Sequence, residues 1–322
     1  LGSSGEAAAR LLRREDAAVT VIDRKLTEGA RLRAEALKAE GVRVEQAGDQ
    51  GLAHRGRGTP SNRRIPDKRK AMALQLYETR YADFGPTLAT EKLAEHHGIT
   101  LSDETLRRWL RERGIAHFTR RKRPHRAWRE REPHVGELLQ LDGSHHDWFE
   151  GRGPRCVLMA YIDDASSRVF ARFYEYEGTI PAMDSFQRYV TRYGIPLAVY
   201  ADKHTTYQSP AQPTVEEQLA GAKPTSQFGR ALGELGVELI PAHSPQAKGR
   251  IERLFHTFQD RVIKEMRLAG MATIEAANRF LETYLPIYNR RFMVEPAQAA
   301  DLHRPSPAAR ALDHILCLKT TR

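Results

Sequence analysis

Cysteine is almost missing from this chain: Cys156 and Cys317 are the two among 322 residues. Two thiols cannot build a disulfide framework or a thiolate zinc site, which excludes a stapled miniature scaffold and a zinc-ribbon module. Long apolar runs are missing too. No stretch of eighteen apolar residues occurs and no lipidation signal is visible, so a membrane role has no support. The first residues show no charged n-region, apolar h-region and small-residue cleavage site, and the expected setting is reduced and cytoplasmic. No complete phosphate loop is present, and no serine or cysteine nucleophile has a supporting histidine motif. Negative charge is in short supply: 41 acids face 51 lysines and arginines, a net charge of +10. The chain is 40% hydrophobic, enough to bury a core, and its positive excess points to a polyanionic partner.

Residues 1–49 read as a piece of α/β structure. An alanine- and leucine-rich helix at 6–14 precedes a buried-strand pattern at 18–23, and an amphipathic stretch at 28–40 precedes a second strand at 41–45. Gly2-Ser3-Ser4-Gly5 is a small-residue turn of the kind that cradles phosphate, although the strand that should feed it is absent. Residues 50–66 have the glycine-rich, basic composition of a linker. Residues 67–116 hold three helical patterns, at 68–81, at 86–96 and after Ser102, with Pro86 in a first turn, Gly98 as a stop and Ser102 as an N-cap. The last two form a helix-turn-helix. Its second helix buries Leu106, Trp109 and Leu110 and leaves Arg107, Arg108 and Arg111 facing out, towards DNA; the plain alternative is a hairpin with solvated arginines. Residues 117–133 carry the densest basic run, Arg120, Arg121, Lys122, Arg123 and Arg126 with Arg129 and Arg131 behind, suited to neutralising phosphates and positioning DNA.

Residues 134–270 give three strands, a helix, a strand, a helix, a strand and a helix. Leu138 to Leu141 alternates into Asp142 at a strand end, and an apolar run from Cys156 ends in Asp163 and Asp164. A third strand at 168–176, a helix closed by Gly194, and a buried strand at 197–201 with Asp202 directly after it follow. A helix at 226–235, a strand at 237–241 and a long helix from about 246 complete the series. This is the order of a ribonuclease-H-like core, a mixed five-stranded sheet flanked by helices, preceded here by the helix-turn-helix region. Ile251, Leu254, Phe255, Phe258 and Val262 form the buried stripe of the last helix, leaving Lys248, Glu252 and Gln259 off it. Residues 271–322 read as a helical extension, with a helix at 274–285, and a tail.

The topology gathers Asp142, Asp202 and Glu252. Carboxylates a few ångströms apart repel unless cations lie between them. Two divalent ions roughly 3.5–4 Å apart remove the repulsion and serve both oxygens of an in-line displacement at phosphorus. Hard oxygen donors favour Mg²⁺, with Mn²⁺ as a substitute. His145 and His146 adjoin Asp142, but neighbours on a strand point oppositely, so at most one faces the site. His256, one turn after Glu252, is more simply a surface partner. Asp163 and Asp164 compete as ligands, although a carboxylate-held hairpin turn is the simpler reading.

Gln140-Leu141-Asp142-Gly143-Ser144, Ala201-Asp202-Lys203 and the segment from Ser244 to Arg253 resemble the three signatures of integrase-core transposases of bacterial insertion sequences, of the ISNCY-like kind. The likeness runs over roughly residues 51–305 and includes Tyr288-Asn289-Arg290-Arg291. It implies that Asp142, Asp202 and Glu252 are the catalytic, metal-binding triad, holding two Mg²⁺ ions, and that Lys248 and Arg250 touch DNA near the cut. It further implies DNA cleavage and strand transfer by a homo-multimer on double-stranded DNA, as element ends and target, in the cytoplasm at the nucleoid. A non-catalytic, decayed DNA-binding remnant is the alternative, and RNA as substrate sits poorly with a helix-turn-helix. The spacing from Asp202 to Glu252 exceeds that of retroviral integrases, with the surplus in a loop-like stretch at 208–225. Residues 1–49 resemble the start of the D-glutamate-adding muramyl ligases and stand where the transposase family carries a further DNA-binding helix-turn-helix. A gene fusion is the expected origin, with a native domain as the alternative, and the resemblance does not imply ligase activity.

Overall fold

The computed structural model describes residues 2–23, 27–46, 65–115, 129–202, 206–207, 225–241 and 248–320. Two compact units are present, Leu1–Ala73 and Leu74–Arg322. In the first, α1 (Ser3–Arg14), β1 (Thr20–Asp23), α2 (Glu28–Ala39) and β2 (Arg43–Gln46) follow one another, with β1 and β2 paired in parallel. Ala9, Leu37 and Val42 form its small core, and Arg10 bridges to Glu40. The α/β pattern of the sequence is reproduced, with both strands shorter by a residue or two at their starts.

The second unit begins with helices. The helix α3 (Asp67–Arg80) runs across the unit boundary and is followed by α4 (Pro86–His97) and α5 (Asp103–Glu112). Gly98 closes α4 at φ +63°, a left-handed conformation that glycine adopts without steric cost. The Ser102 hydroxyl accepts from the Thr105 amide and caps α5, whose buried face is Leu106, Trp109 and Leu110.

The sheet comprises β3 (Leu138–His146), β4 (Cys156–Asp163), β5 (Val169–Tyr174), β6 (Ala198–Ala201) and β7 (Glu238–Pro241) in the order β5-β4-β3-β6-β7. β3, β4 and β5 pair antiparallel; β3, β6 and β7 pair parallel. With α6 (Thr179–Tyr193) between β5 and β6, α7 (Gln227–Glu234) between β6 and β7, and α8 (Gly249–Leu268) last, this is a ribonuclease-H-like core. One face buries Leu139, Leu141, Met159 and Tyr161 against Phe186 of α6 and Phe228 of α7. The other buries Leu158, Ala160 and Ile162 against Phe258 of α8 and Leu281 of α9 (Ile274–Phe292). Since Leu139 and Leu141 point to α6 and α7, strand alternation turns Gln140, Asp142 and Ser144 towards α8.

Three expectations are corrected. β3 does not stop at Asp142 but runs on to His146, because β4 keeps pairing with it as far as His146↔Cys156. The helix expected at 274–285 continues to Phe292 through Pro286, so Tyr288 to Arg291 are helical rather than a following tail. Burial of Leu285, Tyr288 and Asn289 on its inner face offsets the hydrogen bond that the proline removes. A last helix, α10 (Ala309–Ile315), seats Leu312 in the core where a tail was expected.

α9 also closes the sheet's outer edge. The Asn278 side chain bonds the amide and carbonyl of Phe173, and that of Asn289 bonds those of Val169, each at 2.8–3.0 Å. Two asparagines thus stand in for a missing neighbouring strand. Asn289→Ala strips partners from two buried backbone groups and is expected to cost about 1–3 kcal/mol. A urea-unfolding midpoint measures this, and an unchanged midpoint would contradict it.

Candidate active site

Leu138↔Ala198, Leu139↔Val199 and Gln140↔Tyr200 fix the register between β3 and β6. Carried on by two residues, that register sets Asp142 opposite Asp202, just past the last residue of β6. The two aspartates converge on one cation, the Lys248 ammonium, whose Nζ lies 2.9 Å from Asp142 Oδ1 and 3.8 Å from Asp202 Oδ2. Lys248 is the residue before the first turn of α8, and its side chain is 10% exposed. The Gly143 amide donates to Asp142 Oδ1 at 3.1 Å.

Burial pushes the Asp142 carboxyl above the ordinary aspartate range, Lys248 and the Gly143 amide pull it back, and Asp202 pushes it up again; burial is the largest influence. A carboxylate so raised is a net cost to folding once ionised, which is the usual condition of groups kept for chemistry rather than stability.

Glu252 is exposed on the first turn of α8. Among the described residues no three histidine, cysteine or carboxylate side chains are grouped closely enough to hold one metal ion, so the structure joins Asp142 and Asp202 without bringing the Glu252 carboxylate to them. Its helix edge nevertheless runs along β3. Lys248, one turn earlier, reaches Asp142, and Gln259, two turns later, donates to the Ser144 hydroxyl at 3.4 Å.

Behind the aspartates lies a buried network that sequence reasoning missed. The Asp164 carboxylate is fully buried and accepts from Arg250 Nη1 and Gln140 Nε2, both at 2.8 Å, from the Glu132 amide at 2.9 Å, and from Arg129. Gln140 Oε1 in turn accepts from the Ile251 amide at 3.3 Å, tying the start of α8 to β3. Arg250, expected to meet DNA, therefore faces inward: its side chain is 9% exposed and is held by Asp164 and by the Arg129 carbonyl. The available signal was Gln140, a polar residue at a core position two before Asp142, which a buried strand tolerates only with partners. Asp163 ties the hairpin turn by accepting from the amide and hydroxyl of Ser166 and from the Gly136 amide.

His145 is exposed and meets Glu177 at 2.9 Å, while His146 lies edge-on to Trp148. A Cβ at Gly143 would sit 2.6 Å from Glu177 Oε2, so glycine after Asp142 is what lets Glu177 approach the strand. On α5, Arg107 pairs with Glu104 and Asp103, Arg108 lies 3.9 Å from Glu112, and Arg111 is exposed. The basic run Arg120, Arg121, Lys122 and Arg123 and the stretch 208–224 lie outside the described residues, as do Lys203 and residues 242–247. No helix among the described residues is long and apolar enough to cross a membrane.

No protein-family model matches the chain. It is similar to the "Putative transposase y4bF" of Sinorhizobium fredii, at 41% identity over 282 residues that cover 87% of this chain and 61% of that protein. It is also similar to the "Transposase for insertion sequence IS1202" of Streptococcus pneumoniae, at 30% identity over 307 residues, covering 83% of this chain and 64% of that protein. The chain thus spans less than two thirds of the length of these curated relatives. Among solved structures, the simian T-cell lymphotropic virus intasome in complex with PP2A regulatory subunit B56 gamma aligns at a TM-score of 0.40 and 16% identity, over 74% of this chain and 78% of that one. The HTLV-2 integrase catalytic core domain in complex with magnesium, in its dimeric form, aligns at 0.32 and 15%, over 46% and 83%.

Proposed function

We propose that this chain is a DDE-type transposase that cleaves DNA and joins the cut end to a target. The observation that carries the reading is the cradle of two carboxylates, from adjacent parallel strands, around one cation. The similarity to two transposases supports it. The chemistry of the donors suits a divalent metal: two hard carboxylates already share a positive charge, and Glu252 follows one turn after Lys248 on α8. Asp142, Asp202 and Glu252 would hold two Mg²⁺ ions, with Mn²⁺ as a substitute. When bound, the ions would stabilise the attacking and leaving oxygens of an in-line displacement.

The rest falls to the chain's own side chains. Asp142, midway along β3, and Asp202, just past β6, fix the point of reaction, and the Gln140–Asp164–Arg250 network holds the α8 N-terminus against β3. Lys248 balances the aspartates in the protein alone and would offer its ammonium to an incoming phosphate oxygen. Arg107, Arg108 and Arg111 would lie along the duplex, as would the 120–123 run. Hydrolysis frees a 3′-hydroxyl at the element end. Its oxygen then bonds to a target phosphorus as that phosphorus loses its bond to the target's own 3′-oxygen, which leaves as a hydroxyl. Two ends on one target require a homo-multimer on DNA. Residues 1–49 are read as a muramyl-ligase-like piece added by gene fusion, the remainder as an ISNCY-like element.

A supercoiled-plasmid assay tests the proposal. Nicked and joined products are expected with Mg²⁺ or Mn²⁺ and none with a chelator. Binding to DNA without nicking under either metal would instead favour the decayed remnant.

A further inference from the structure

The helical module carrying α4 and α5 meets the sheet-bearing part of the same unit across a seam built of charge. The Lys92 ammonium of α4, only 7% exposed, lies 2.6 Å from Glu265 of α8, itself 13% exposed. Glu91 of α4 receives both terminal nitrogens of Arg261 on α8 at 2.8 Å, and Arg291 of α9 at 2.6 Å. Asp83, just before α4, pairs with Arg267 at 2.6 Å, and Lys264 and Arg267 lie over the face of the buried Phe84 ring. Each acid on one side has a base on the other, and Arg261 meets Glu91 in the bidentate geometry that fixes orientation as well as distance. α4 presents Glu91 and Lys92 to the seam, and its apolar residues Leu88, Ala89 and Leu93 are buried. Such pairs contribute little net stability compared with apolar packing, but they tolerate one register and reject others.

We propose that this seam is a clamp that makes the recognition helix α5 and the carboxylate cradle one rigid body, so that the protein sets the distance along DNA between contact and cut. The clamp rests on the proposed function for its purpose, but not for its existence. Glu91, Lys92, Arg261 and Glu265 are then positioning residues, remote from the reacting atoms.

The test is a charge swap in the full chain, read by hydrogen exchange without DNA or metal. Lys92→Glu gathers three acids with Glu95 and Glu265, and Glu265→Lys sets two ammonium groups together. Each single variant is expected to speed amide exchange in α4 and in the second half of α8 by about tenfold or more, with β3 and β4 unchanged. The double variant, Lys92→Glu with Glu265→Lys, is expected to regain protection close to that of the parent. Unchanged protection in both single variants would overturn the clamp, as would a double variant no better protected than the singles. If a single variant loosens the whole core, the double decides in the same way. A protein that never cuts DNA would defeat the proposed function and leave this exchange result standing.

Discussion

Asp164→Asn is expected to lower folding stability by about 3–5 kcal/mol, the cost of leaving a buried charge uncompensated. The carboxylate is fully buried, and four donors converge on it from Arg129, Glu132, Gln140 and Arg250. Asparagine would remove the negative charge that balances Arg250 and would turn an NH₂ group towards donors. The damage should reach the site, because Gln140 also receives the Ile251 amide and so holds the first turn of α8. A urea midpoint lowered at constant slope is the expected result. A loss under about 1 kcal/mol would show that the network is less coupled than its geometry implies.

Asp142→Asn and Asp202→Asn should behave in the opposite way. Each is expected to reduce metal-dependent nicking of plasmid DNA by about 10³-fold or more, as removal of a group acting on the transition state does. Asp142→Asn should do so without loss of stability at neutral pH. The sign follows from burial: a carboxyl held above its unfolded value binds its proton more tightly in the folded state, so ionisation works against folding. That cost is absent below the unfolded value, grows as pH rises towards the folded one, and is constant beyond it. The variant, like the protonated acid, escapes it. The stability difference between variant and parent should therefore shrink on acidification, as paired urea titrations at neutral and acidic pH would show. A variant that loses both activity and stability would mark Asp142 as a structural residue.

The order of elements in the core was legible because each strand is an apolar run and each helix has a chemical stop or start, as Gly98, Ser102, Gly194 and Ser226 show. What escaped depends on partners far along the chain. β3 extends past Asp142 because β4 pairs with it, and α9 outlasts Pro286 because its inner face is buried against β5. Asp142 and Asp202 stood out as acids at the ends of neighbouring strands. Arg250 reads as a DNA contact because the resemblance sets it at a basic position expected near the cut. Its partner Asp164 lies 86 residues away, and local sequence carries no trace of the pairing. Glu252 marks the boundary of what both views supply: the pattern selects it, the helix edge carries it along β3, and the side chain stands apart from the aspartates.

Binding of Mn²⁺ to the full chain, followed by the loss of the free ion's paramagnetic resonance signal, bears most directly on whether these carboxylates form a metal site. Saturable uptake is expected, abolished by Asp142→Asn or Asp202→Asn and weakened by Glu252→Gln. Uptake identical in all three variants and the parent would place the ion elsewhere and contradict the account.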